Sequence, residues 1–138
     1  MSRRSRAREV AMQILYEADL NPGATADGRE RFLAARLRSE PLVAFAAGLI
    51  AGVERRRDEI DGLLEARSRN WRVARMAVTD RAVLRIAMHE LLDTDTPGPV
   101  VVDEAIELAR RYGNEESARF VAGILGAVLA DANSAQES

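Results

Sequence analysis

The chain has 138 residues, 47% hydrophobic and only 4% aromatic; that suits one domain with a real core, and abundant alanine, leucine, valine and arginine favour helix over strand. It has no cysteine, which excludes disulfides and thiolate zinc sites, and no apolar stretch of signal-peptide or membrane-span length, so a soluble cytoplasmic protein is expected. The formal net charge is −2, but residues 1 to 8 carry four arginines and no acid, whereas the other 130 hold 16 arginines against 22 acids. That asymmetry suggests a basic arm for a polyanion on an otherwise acidic body.

In chain order, the first helix is expected from Ser2 or Ser5, with Val10, Ala11, Ile14, Leu15 and Ala18 as its apolar stripe, ending before Asn21-Pro22-Gly23. A second, Arg-rich helix runs from Asp27, as N-cap, through Phe32, Leu33, Ala35 and Leu37 and stops near Glu40-Pro41. From Pro41 a long central helix carries Leu42, Phe45, Ala46, Leu49, Val53, Ile60 and Leu64 at helical spacing. Residues 55–59 keep its helix propensity, and Asp61-Gly62 marks a bend. A short segment around Trp71 to Met76 leads to a helix capped by Thr79, with Asp80 in its first turn and Val83, Leu84, Ala87, Met88 and Leu91 buried. After Thr96-Pro97-Gly98-Pro99 a helix spans about Val100 to Tyr112, with Gly113 as its C′ residue. Asn114 caps the last helix, whose apolar stripe is Phe120, Val121, Ile124, Leu125, Val128 and Leu129. The expected architecture is all-α, about seven helices in one domain over residues 1–132, with helical layers of about 1–67 and 68–132 and a disordered tail at 133–138.

Catalysis needs a positioned nucleophile, acid, base or metal, and one histidine without cysteine or a phosphate loop gives it little to work with. The expectation is a non-enzyme with no cofactor and no metal. His89-Glu90 begins like a zinc HExxH motif, but Asp93 stands where the second histidine would be, so His89 reads as structural or surface. Gly48 and Gly52 form a GxxxG spacing, which in this charged context points to close packing of a neighbouring helix. Trp71 between arginines reads as a hinge anchor more than a base-stacking residue.

The basic arm is the strongest signal. Arg3, Arg4, Arg6 and Arg8 enter an amphipathic helix that also carries Gln13 and Tyr16; guanidinium forks match phosphates, and tyrosine stacks on unpaired bases. Four phosphate contacts would give a salt slope of about −3 on single-stranded RNA, while a solvated, frayed end is the plain alternative. The corner Tyr112-Gly113-Asn114-Glu115-Glu116, followed by Arg119 and Phe120, offers helix N-terminal donors to RNA, although Glu115 and Glu116 also suit ordinary dipole compensation.

The run from Arg3 to Tyr16 resembles the opening of the NusB transcription-antitermination family. The stretches Thr79 to Leu91, Val101 to Ala109 and Phe120 to Leu125 are similar to its later helices, in the family's order and spacing. The resemblance implies a seven-helix fold that binds boxA-type single-stranded RNA together with NusE, a small-subunit ribosomal protein. Through other Nus factors it would join elongating RNA polymerase and promote readthrough, chiefly on ribosomal RNA operons. It assigns RNA binding to Arg3, Arg4, Arg6, Arg8, Gln13, Tyr16, Glu116, Arg119 and Phe120, and NusE binding to Tyr16, Asp80 and Glu90. Asp103 and Ala122 replace asparagines usual in the family, and His89 stands where an aromatic is frequent.

Three other readings compete. A module of a ribosomal RNA methyltransferase would need an α/β cofactor domain beyond Ser138. A pure protein-interaction bundle would keep its protein partner without salt-sensitive RNA affinity. A DNA-binding factor is disfavoured because no helix displays several Arg, Asn or Gln on one face.

Overall fold

The computed structural model describes residues 2–22, 27–68 and 72–137. Within them the chain is all-helical: α1 (Arg3–Leu20), α2 (Asp27–Leu37), α3 (Glu40–Arg55), α4 (Arg57–Arg67), a 3-10 turn (Val73–Arg75), α5 (Val78–Asp93), α6 (Gly98–Tyr112) and α7 (Glu115–Glu137). Trp71 lies outside the described residues.

The helix ends follow from local chemistry. Ser2 caps α1 by accepting the Ser5 N–H at 3.0 Å. Arg38 ends α2 in the left-handed region at φ 53°, which turns the chain so that Ser39 precedes α3 and Pro41 sits in its first turn. Asn114 caps α7 through its Oδ1, 2.9 Å from the Ser117 N–H.

The expected long central helix is broken, and the break is at Arg56, not at Gly62. Arg56 leaves helical geometry (φ −115°, ψ 23°) while its guanidinium reaches Glu59 and Asp93. Gly62 sits inside α4 with open space where a Cβ would be. The break lets Ile60 and Leu64 of α4 enter the core, each fully buried, which stabilises by roughly 1.5–3 kcal/mol per side chain. Thr79 is not the cap of α5; Ala77 holds that place and Thr79 lies in the first turn. Gly113 ends α6 at φ −111°, outside the left-handed region. Glycine is needed there for space, because a Cβ would stand 2.4 Å from Ser117 Oγ and 2.8 Å from the Ala109 carbonyl. The tail expected to be disordered from residue 133 is instead helical in α7 as far as Glu137, as alanine in that stretch favours.

The core is organised around α5, which packs on α1, α3, α4, α6 and α7. Every residue from Ala82 to Glu90 is buried. A helix enclosed on all sides must satisfy its polar groups internally. Arg85 does so with both Asp61 oxygens, at 2.8 and 2.9 Å, and with Asp19 at 3.1 Å. His89 lies against Gly52 of α3 with Nδ1 3.3 Å from an Asp93 oxygen. The GxxxG pair is thus divided: Gly52 is the close approach, while Gly48 is exposed.

Candidate nucleic-acid interface

Helix α1 presents its basic residues in two directions. Arg6 and Gln13, seven residues apart, share a stripe that continues to the exposed Tyr16. Arg4 and Arg8, four apart, face α3, where both guanidiniums lie over the Phe45 ring at 4.8 and 5.2 Å from its centroid. Arg3 is exposed in the first turn.

Arg8 stands apart from the other arginines of the arm. It is 4% exposed, and its Nε and Nη2 each donate to one Glu90 oxygen at 2.8 Å. Its Nη1 lies 3.8 Å from Glu104, which accepts the Ser5 hydroxyl at 2.5 Å. A bidentate pair in low dielectric is committed to its partner, so Arg8 clamps α1 to α5 and α6. Glu90, 1% exposed, is the other half of that clamp. Asp80 is also turned inward at 8% exposure; burial raises its carboxyl above the usual range, partly offset by a hydrogen bond from Ser117. Of the three residues expected to meet NusE, Tyr16 is the exposed one.

The end of α6 completes the α1 face. Gln13 Nε2 donates to the Tyr112 hydroxyl at 2.9 Å. That phenol also bonds to Glu9, and burial followed by the nearby Glu9 charge raises its pKa. Glu9 in turn accepts from Arg6 of α1 and, at 2.8 Å, from Arg111 of α6. Beside the Gln13–Tyr112 bridge opens a cavity of about 660 Å³, lined by Met12, Gln13, Tyr16, Phe32, Thr79 and Tyr112. Its walls are largely apolar with amide and phenol groups at the edge, which suits a planar ring with a polar rim.

Beyond Tyr112 the chain needs only Gly113 and Asn114 to enter α7, so the first turns of α7 adjoin this face. Glu116 and Arg119 are exposed there, and Phe120 is half-buried against the core. One expected backbone donor, the Ser117 N–H, is already taken by Asn114. Glu9 and Arg111 are not among the residues that the sequence points to. Arg111 reads as a last-turn residue complementing the α6 dipole, and only the α1–α6 contact brings it beside Arg6.

A sequence model of the NusB family matches residues 5–130. The chain belongs to the NusB family. A transcription antitermination protein NusB from Anaeromyxobacter dehalogenans is 47% identical over 128 residues, covering 92% of this chain and 90% of the relative. One from Myxococcus xanthus is 41% identical over 138 residues, covering 96% and 99%. Among solved structures, T. maritima NusB superposes with a TM-score of 0.80 at 33% identity, covering 93% of this chain and 90% of that one. A structure of antitermination factors NusB and NusE in complex with double-stranded RNA gives 0.81 at 25% identity, covering 93% and 96%. Asp103 is exposed on α6 and Ala122 is half-buried on α7. No helix among the described residues is long and apolar enough to cross a membrane.

Proposed function

We propose that this NusB-family chain is a transcription antitermination factor that binds boxA-type single-stranded RNA together with NusE. It would join the RNA polymerase elongation complex through other Nus factors, promoting readthrough chiefly on ribosomal RNA operons. The observation that carries the RNA part is the continuous polar and aromatic face of Arg6, Gln13, Tyr16 and Tyr112, with Glu116, Arg119 and Phe120 at the adjoining start of α7. Phosphates meet the arginines, and unpaired bases find tyrosine faces and an amide. Arg3 and Arg4, ahead of this stripe, add charge that steers the RNA. The role is one of assembly in the cytoplasm, with no chemical step assigned to the chain. The NusB proteins of Anaeromyxobacter and Myxococcus support the antitermination role, and the structure of NusB and NusE with double-stranded RNA supports the pairing with NusE and RNA.

The test is binding to a boxA-like RNA against a scrambled RNA, with and without NusE, across a salt series. Selective binding that NusE strengthens is expected, and an Arg3/Arg4/Arg6→Ala variant should flatten the salt slope by about 2, three contacts at ~0.7 each. Capture of NusE without selective RNA binding under any condition would leave a protein-interaction bundle instead.

A further inference from the structure

We propose that Arg111 is a phosphate-contacting residue of the RNA site, held beside Arg6 by the Glu9 carboxylate; the inference rests on the RNA-binding reading above. Burial of Arg8 takes one guanidinium away from the α1 face. The fold supplies another from α6, 102 residues from Glu9 in sequence.

The geometry is that of a shared anchor. One Glu9 oxygen takes Arg6 and the other takes Arg111 Nη1 at 2.8 Å. The Glu9 side chain is 8% exposed, whereas those of Arg6 and Arg111 are each 38% exposed. The carboxylate is therefore covered and the two cations that cover it face water. Each guanidinium carries five donors, so it can serve more than one partner at once and meet a phosphate while it keeps the carboxylate. Glu107 stands 3.9 Å from Arg111, too far for a direct hydrogen bond, and is itself 57% exposed. Its other oxygen accepts from Arg110 at 3.0 Å, so Glu107 keeps that partner when a phosphate meets Arg111.

Glu9 is then a positioning residue with a second function. Because it also bonds to the Tyr112 phenol, which accepts from Gln13, a single carboxylate fixes the spacing between two phosphate-binding forks and the aromatic ring beside them. A merely structural staple between α1 and α6 would use the same Glu9–Arg111 pair, but would give Arg111 no part in the salt dependence of RNA binding.

The experiment measures the affinity of a single-stranded boxA-like RNA across a salt series, with NusE present, alongside thermal unfolding of each variant. Arg111→Ala should weaken binding by up to about fivefold at low salt and reduce the salt slope by ~0.7. Arg111→Lys should keep the slope. Arg110→Ala, which removes a neighbouring arginine paired with Glu107 and Glu115, should leave the slope unchanged and serves as the stability control. An Arg111→Ala protein that is folded and binds with the wild-type slope overturns the proposal while the RNA-binding reading stands. Wild-type protein that binds no RNA selectively removes both.

Discussion

Arg8 and Glu90 lie 82 residues apart in sequence and face each other across the interior in a two-point pair, both contacts at 2.8 Å. They join the first turns of α1 to the last turn of α5, with Glu104 of α6 and Thr96 at the periphery of the pair. Removing one partner leaves a buried, uncompensated charge, so Arg8→Ala should cost about 3–5 kcal/mol of stability. Replacing both, as Arg8→Met with Glu90→Leu, should recover most of that loss. Urea unfolding measures both numbers. A single variant that unfolds within 1 kcal/mol of wild type, as a rough limit for exposed pairs, would mean that the pair is not sealed from water.

Much of this is legible in the sequence, including the burial of Arg8 and Glu90. The apolar periodicity of α1, α6 and α7 places the buried faces where they are observed, because a helix against a core exposes its period directly, whereas α5 is buried all round. Arg8 shares its stripe with Ala11 and Leu15, and Glu90 shares one with Val83 and Ala87, all buried. Two opposite charges on core-facing stripes signal an internal pair, although the basic run around Arg8 masks that phase. The break at Arg56 left no such trace. Residues 55–59 are good helix formers, and what turns the chain is a tertiary pairing of Arg56 with Asp93 of α5. Arg111 was hidden for the same reason, since its partner Glu9 lies on another helix.

The acid response should be governed in part by Asp19 near the end of α1, which gathers three arginines: Arg57 at 3.0 Å, Arg81 at 2.6 Å and Arg85 at 3.1 Å. Burial pushes its carboxyl up, but the hydrogen bond from Arg81 and the charges of Arg85, Arg81 and Arg57 outweigh it, and the net shift is downward from 3.8. A carboxyl lowered on folding adds stability above its unfolded value and loses it as pH falls through the folded one. Asp19→Asn should therefore be less stable than wild type at neutral pH, with the two curves converging as pH drops below 3.8. Unfolding free energies measured down the acid limb give the answer; a constant difference across that limb would show that Asp19 acts by shape and not by charge.

The two glycines of α3 should respond in opposite directions to the same substitution. At Gly52 an added Cβ would stand 2.0 Å from His89 Cε1, and the ring is buried between α3 and α5 with little room to yield. Overpacking of this kind costs about 1–3 kcal/mol, more than the ~1 kcal/mol that alanine gains over glycine in a helix, so Gly52→Ala should destabilise. At Gly48 nothing lies within 4 Å and the position is exposed, so Gly48→Ala should stabilise by up to ~1 kcal/mol. Adding His89→Ala to Gly52→Ala removes the atom that is struck, and the pair should then cost less than the sum of the single changes, the mark of a direct contact. Strict additivity in thermal or urea unfolding would place the cost of Gly52→Ala elsewhere in the helix and not at the His89 ring.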